Sequence, residues 1–132
     1  MDTSSDAGSR TVFVVEDDEA IRDLLRTLIE ASGFNVQTWS TAEAFLADYE
    51  LPQSGCLVLD IQLPGMSGLE LAEMLRARQL RIPIILLTGR GALLTTLRAR
   101  QIGALGYLSK PFDNQLLLGY IRRAMAQTGI SP

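Results

Sequence analysis

The sequence predicts a doubly wound α/β domain with five parallel strands, and two observations support this prediction. Five short apolar runs recur along the 132 residues, and the central ones lack the alternation of a half-exposed strand. Unbroken runs of this kind are typical of parallel strands covered by helices on both faces. Segments with helical spacing of apolar residues separate the runs, and such alternation implies right-handed crossovers. The length fits one domain, since domains run to roughly 100–200 residues.

The five units can be placed in order. Strands are predicted at 11–15, 34–39, 56–60, 83–88 and 104–109. Gly33 is expected to be the C-terminal cap of the first helix. That helix is predicted by apolar residues at helical spacing, namely Ile21, Leu24, Leu25, Leu28 and Ile29. Capping boxes at Ser40–Glu43 and Ser67–Glu70 predict the starts of the second and third helices, and the third is expected to reach about Arg78. The fourth helix is expected over about 91–101, and the last carries Leu117, Tyr120, Ile121, Ala124 and Met125.

Composition narrows the function classes. A net charge of −3 does not indicate a nucleic-acid or membrane surface, and no apolar run approaches the length of a membrane span. The sequence has no histidine, which excludes phosphohistidine chemistry on this chain and makes a transition-metal site improbable, while a hard cation bound by carboxylates remains open. The single cysteine, Cys56, is expected to be a buried reduced thiol, consistent with a cytoplasmic protein. Residues 1–10 read as a disordered leader, 11–127 as the domain and 128–132 as a tail or the start of a linker.

Polar residues stand where four of the strands end. Glu16 and Asp17 follow the first strand, Asp60 ends the third, Thr88-Gly89 end the fourth, and Lys110-Pro111 follow the fifth. The ligand site of such a sheet lies outside the carboxyl ends of its strands, so we expect these groups to converge. Taken singly, each has an ordinary interpretation. Asp60 could cap a turn, Lys110 could be a surface lysine and Thr88 a β-branched strand residue, while Asp18 and Glu19 fit a helix N-terminus.

Four segments in order carry a resemblance to a known family: VVEDDEAIR, LVLDIQLPGMSGLEL, LLTG and YLSKPF. In order and spacing they resemble the receiver domain of bacterial two-component response regulators, over about residues 11–127. The phrases GCLVLD, PGMSGLEL, TGRG and KPF are most similar to the FixJ-type subgroup, whose members usually carry a LuxR-type helix-turn-helix. The resemblance implies a flavodoxin-like (βα)5 fold with strand order 2-1-3-4-5. It also implies DNA binding only through a separate output domain, and no membrane partner.

The resemblance implies a role for each strand-end residue. Asp60 would be the phosphoacceptor for a sensor histidine kinase, because a carboxylate can attack phosphorus and form an aspartyl phosphate. The Thr88 hydroxyl and the Gly89 backbone N–H would contact the phosphoryl group. Lys110 would be its counter-charge, aimed by a cis bond to Pro111.

Three carboxylates at one place repel each other, and a divalent cation resolves this repulsion. We therefore expect Mg²⁺, with Asp17 and Asp60 as direct ligands and Glu16 acting mainly through water. The resemblance adds the backbone carbonyl of Gln62 as a ligand. Glu16 itself is a departure, because many receivers carry Asp at this position.

The resemblance also implies a switch. Tyr107 would rotate inward when the Thr88 hydroxyl is drawn to the phosphate, changing the face of the fourth helix, fifth strand and fifth helix, often with dimerisation. Of the fourth-helix leucines Leu93, Leu94 and Leu97, at least one is expected to be exposed. Arg90 and the residues after it depart from the subgroup pattern, and so does Gly106, where an acid is common. With these departures, the sequence does not decide which surface is the output face or which partner it binds.

Two other functions remain open at this point. One is a phosphatase of similar topology with an Asp nucleophile, but such enzymes usually place a second acid two residues later, where this chain has Gln62. The other is a receiver-like interaction module without phosphorylation, which would predict loss of the acids, Thr88 or Lys110. The favoured function is a switch with at most slow autophosphorylation and autodephosphorylation, and not a metabolic enzyme.

Overall fold

The computed structural model describes residues 11–48, 55–89 and 93–129, with side chains except at 93–96 and 128–129. Five parallel strands form one sheet: β1 (Thr11–Val15), β2 (Asn35–Trp39), β3 (Cys56–Asp60), β4 (Ile84–Thr88) and β5 (Gly106–Ser109). Their order is β2-β1-β3-β4-β5, so the predicted fold class and strand order are confirmed. Five helices follow the strands: α1 (Glu19–Ala31), α2 (Ala42–Asp48), α3 (Gly68–Ala77), α4 (Leu93–Gln101) and α5 (Asn114–Gly129).

The sheet separates two hydrophobic cores, and alternate residues of each strand point into one or the other. In β3, Cys56 and Val58 pack with helices α1 and α5, while Leu57 and Leu59 pack with α2, α3 and α4. Both sets are buried, which is why the third strand reads as an unbroken apolar run. Cys56 is a free, buried thiol, and burial raises its pKa to about 12, so it stays protonated and unreactive.

Helix ends follow the predicted capping chemistry with one exception. Asp18 caps α1 by accepting from Ile21 N, and Gly33 has a φ of +95° just beyond the C-terminus of that helix. The Ser67–Glu70 capping box is present at α3. The predicted capping box at Ser40–Glu43 is wrong. Because α2 begins one residue later, Thr41 Oγ1 accepts from Ala44 N at 3.0 Å, which leaves Glu43 outside the cap.

Several element ends differ slightly from the predicted ones. Strand β5 begins at Gly106 and not at 104, and α5 continues to Gly129, two residues past the predicted domain end. The predicted leader, Arg90 and residues 130–132 lie outside the described residues, so the expectations for them stay predictions. Within the described part of the chain, every helix is too short or too polar to cross a bilayer.

Candidate functional site

The carboxyl ends of the central strands bring an ammonium between two buried acids. Lys110, just after β5, places its Nζ 3.1 Å from Asp60 Oδ2 and 2.8 Å from Glu16 Oε1. Glu16 follows β1 and Asp60 ends β3, so residues up to 94 positions apart in sequence meet at one edge. The predicted convergence of these three groups is confirmed.

Asp60 is held firmly at the end of β3. It is only 2% exposed, and its Oδ1 accepts a hydrogen bond from Gln62 N at 3.0 Å. The N-terminus of α3 presses on the same strand end, because a Cβ on Gly68 would lie 2.1 Å from the Asp60 carbonyl oxygen. Only glycine fits there. The Gln62 N–H therefore orients the side chain while Gly68 packs on the Asp60 backbone, leaving Oδ2 for the ammonium.

Glu16 is fully buried, and this burial changes the pKa of its carboxyl group. Its Oε2 accepts from Asp18 N at 3.2 Å, and its backbone N–H donates to Trp39 O at 3.0 Å. Loss of solvent raises the pKa of Glu16 to about 7; the neighbouring Asp60 charge adds to the rise, and Lys110 opposes it. Burial alone would lower the pKa of Lys110, but its ion pair with Glu16 and the Asp60 charge outweigh this, and that pKa is raised.

The acid cluster fits a hard divalent cation. Glu16, Asp17 and Asp60 each offer a carboxylate oxygen, and these oxygens lie within 4.8 Å of one another. Asp17 is exposed, and no group in the described residues hydrogen-bonds to its carboxylate. One ammonium faces three carboxylates, so negative charge remains in excess when all are ionised. Oxygen donors with surplus negative charge and an open side suit Mg²⁺, which keeps several waters.

The remaining predicted residues surround this cluster. Thr88 is 2% exposed at the end of β4, one position past the Leu87 that pairs with Asp60, and its carbonyl accepts from Lys110 N at 2.7 Å. Gly89 lies beside the Gln62 side chain, since a Cβ added to it would be 3.0 Å from Gln62 Oε1. The Lys110–Pro111 bond is cis, as the resemblance implied.

Comparison with known proteins identifies the family. The family profile described as "Response regulator receiver domain" matches residues 12–122. The chain belongs to this family. The match covers the described sheet except Thr11, and the first nine residues of α5, so the chain holds the receiver domain of a two-component response regulator.

Relatives of this receiver include full-length regulators. "Transcriptional regulatory protein FixJ" of Bradyrhizobium diazoefficiens is 36% identical over 116 residues, which are 88% of this chain and 57% of the relative. Among solved structures, the response regulator StyR is 45% identical with a TM-score of 0.84, over 89% of this chain and 60% of that one. The structure titled FixJ-N is 34% identical with a TM-score of 0.82, over 92% and 97% respectively. The receiver therefore spans under two thirds of the length of FixJ and StyR.

Two features of the receiver site were missed by sequence reasoning. Arg22, one turn into α1, donates from Nη1 to Glu16 O at 2.9 Å and to Asp17 O at 3.3 Å, which fixes the backbone that carries the acid pair. Glu43, predicted as part of a cap, instead accepts from Met66 N at 2.9 Å and ties α2 to the loop after Asp60. This backbone hydrogen bond lowers the pKa of Glu43. Neither contact has a sequence signal, because both span different elements.

Two predicted roles are not decided by this geometry. Tyr107 is half-buried and packs against the core beneath α2, α3 and α4, but its rotation stays a prediction. The backbone N–H of Gln62 contacts Asp60, and the role of its carbonyl as a metal ligand also stays a prediction.

Proposed function

We propose that this receiver accepts a phosphoryl group on Asp60 from a sensor histidine kinase in the cytoplasm. The observation that carries the proposal is the position of Lys110 Nζ, 3.1 Å from Asp60 Oδ2 at a closed strand end. Phosphoryl transfer needs a cation close enough to neutralise charge on the transferring oxygens, and Lys110 lies within reach of that position. In the transfer, an Asp60 oxygen bonds to phosphorus while the bond from phosphorus to the kinase histidine nitrogen breaks. The nitrogen keeps the electron pair.

The surrounding residues would bind Mg²⁺ and the phosphoryl oxygens. Asp17, Asp60 and the Gln62 carbonyl would hold Mg²⁺, with Glu16 acting through water. The bound cation would neutralise charge on the carboxylates and the transferring oxygens. Lys110 would move from ion-pairing Glu16 and Asp60 to pairing a phosphoryl oxygen. The Thr88 hydroxyl and the Gly89 N–H would bond the other oxygens.

The phosphoryl group would then switch the output face. It adds about −1.5 to −2 charges and three acceptor oxygens beside Thr88. The drawn-in Thr88 hydroxyl would make room for Tyr107 to turn inward, changing the α4-β5-α5 face and favouring a homodimer. DNA control would come through an output domain outside this chain, as the name of the FixJ relative suggests. The receiver would not be a turnover enzyme, since Gln62 replaces the second acid of an Asp-nucleophile phosphatase.

Intact mass and gel filtration test the proposal together. The chain would be treated with Mg²⁺ and acetyl phosphate, or with beryllofluoride as a noncovalent phosphoryl mimic. We expect a Mg²⁺-dependent adduct of one phosphoryl group, absent in Asp60→Asn, and a shift to the dimer elution volume. Asp113→Asn is the matched control, because Asp113 caps α5 and lies outside the acid cluster. No adduct and no beryllofluoride response in the wild type would leave a receiver-shaped binding module instead.

A further inference from the structure

A cavity lies at the edge of the sheet opposite Asp60. It is an open cavity of about 390 Å³, within the roughly 300–1,000 Å³ range of small-molecule pockets. The end of α3, the approach to β4 and the turn between α4 and β5 form its walls. The cavity is lined by Arg76, Arg81, Arg100, Gln101, Ile102 and Gly103. We call it the arginine cavity.

Arg76 is held in place by backbone carbonyls. Its Nε donates to Ile102 O at 2.8 Å, and its Nη1 donates to Leu80 O and Ile82 O, both at 2.9 Å. Nη2 reaches Gly103 O only at 3.5 Å, so that nitrogen has N–H capacity left. Carbonyls are neutral, so this half-buried guanidinium is fixed in direction without its charge being compensated.

The other two cations of the cavity, Arg81 and Arg100, form no ion pair within the described residues. The ion pairs of the described residues belong to Arg26, Arg98 and Lys110, and none includes a cavity arginine. Burial lowers the pKa of Arg76, and the nearby charge of Arg81 lowers it further. Three positively charged side chains therefore line one cavity, and the charges of Arg76 and Arg81 repel each other, in a protein whose net charge is −3. An anion in the cavity would relieve this repulsion.

We propose that the arginine cavity binds an anion with two linked phosphoryl groups. Guanidinium forks match phosphoryl oxygens in bidentate geometry, and Arg is the preferred residue for such groups. Arg81 and Arg100 can offer such forks, and Arg76 can add its remaining Nη2 N–H. Two linked phosphoryl groups supply about three negative charges near neutral pH, enough for three arginines, whereas one carboxylate supplies only one. Gln101, which also lines the cavity, has a carboxamide that can add a neutral donor. The site does not depend on Asp60 chemistry, because it lies at the amino ends of β4 and β5.

The proposal can be tested with pyrophosphate and the full 132-residue chain. Amide NMR shifts would be followed without divalent cations and at constant ionic strength. We expect saturable shifts at Ile102 and Gly103. Arg81→Gln and Arg100→Gln should each weaken binding about tenfold or more, since a charge-assisted hydrogen bond is lost. These two exposed residues are tested first because replacing Arg76 would also remove backbone contacts.

Controls separate the cavity from general charge attraction. Arg122→Gln removes the same charge from an exposed position on α5 and should leave the affinity unchanged. Asp60→Asn should also bind normally, which distinguishes this site from the phosphoacceptor. Shifts that do not saturate, equal weakening by Arg122→Gln, or shifts centred on Lys110 would each overturn the proposal. Equal affinity for succinate would overturn the phosphoryl assignment.

Discussion

Lys110 Nζ lies closer to Glu16 Oε1, at 2.8 Å, than to Asp60 Oδ2, at 3.1 Å. The acid after β1 thus competes with the phosphoacceptor for the only ammonium in the cluster. Glutamate is one methylene longer than the aspartate that many receivers carry at this position. The departure noted in the sequence therefore has a structural consequence, since it couples the charge of Glu16 to both Lys110 and Asp60.

The first prediction concerns the pH dependence of stability without Mg²⁺. The folded-state pKa of Glu16 is about 7, above its ordinary 4.5, so the folded state binds a proton that the unfolded state releases. The resulting stabilisation is complete below about pH 4.5 and is lost as pH rises through 7. From pH 5.5 to 8.5, we expect wild type to lose on the order of 2 kcal/mol of unfolding free energy relative to Glu16→Gln.

Urea unfolding of both proteins at several pH values measures this difference. Lys110 does not contribute to it, because its raised pKa keeps it protonated throughout this window. Added Mg²⁺ should stabilise wild type more at pH 8.5 than at pH 5.5, since the cation binds the ionised carboxylate. Parallel stability curves for wild type and Glu16→Gln would contradict a raised Glu16 pKa.

The second prediction concerns Arg22, which holds the backbone of the acid pair. Arg22→Gln removes the bonds to Glu16 O and Asp17 O, so the two carboxylates lose their fixed direction. Groups that orient metal ligands are typically worth 10–100-fold in affinity, and we expect Mg²⁺ to bind roughly tenfold more weakly. Calorimetric titration with Mg²⁺ measures the change. Arg26→Gln is the control one turn later, because Arg26 bonds Thr38 and Glu30; an equal loss there would rule out a specific role for Arg22.

The third prediction concerns Gly106, which stands where an acid is common in this family. A Cβ on Gly106 would lie 2.5 Å from the Tyr120 ring, so α5 packs directly on the backbone of β5. Gly106→Ala should destabilise the fold by about 1–3 kcal/mol through overpacking. Gly119→Ala, one residue before Tyr120 in α5, meets nothing within 4 Å and should instead stabilise by roughly 0.5–1 kcal/mol.

Chemical unfolding measures the change in unfolding free energy of each alanine variant, and the two changes should have opposite signs. Adding Tyr120→Leu to Gly106→Ala should recover part of the loss, because the ring that meets the new methyl group is gone. If Gly106→Ala leaves the free energy of unfolding unchanged or raises it, the close contact between Tyr120 and Gly106 is not the reason for glycine.

Sequence reasoning reached the sheet order and the central site because both depend on strong local patterns. The unbroken apolar run ending at Asp60 predicted a buried parallel strand, and the polar strand ends predicted the cluster with Lys110. The resemblance supplied the cis Lys110–Pro111 bond, which the residues alone would not support, as only ~5–6% of X–Pro bonds are cis.

The features that the sequence did not predict depend on contacts between different helices, strands and loops. Ser40 and Thr41 are both acceptable caps, and only the packing of α2 selects Thr41. The contacts of Arg22 and Glu43 join residues whose side chains could equally have pointed to solvent. The arginine cavity escaped notice because Arg76 and Arg100 come from different helices that meet only in the folded chain.

The last prediction tests where the receiver associates. Leu97 on α4 is 49% exposed, which confirms that at least one fourth-helix leucine faces outward, and Leu24 on α1 is 48% exposed. If the phosphorylated form dimerises through the α4-β5-α5 face, Leu97→Lys should place a charge in the buried interface and weaken the beryllofluoride-induced dimer at least tenfold. Leu24→Lys, equally exposed on a helix outside that face, should dimerise normally. Sedimentation at several concentrations measures both; a dimer lost with Leu24→Lys and kept with Leu97→Lys would move the interface to α1.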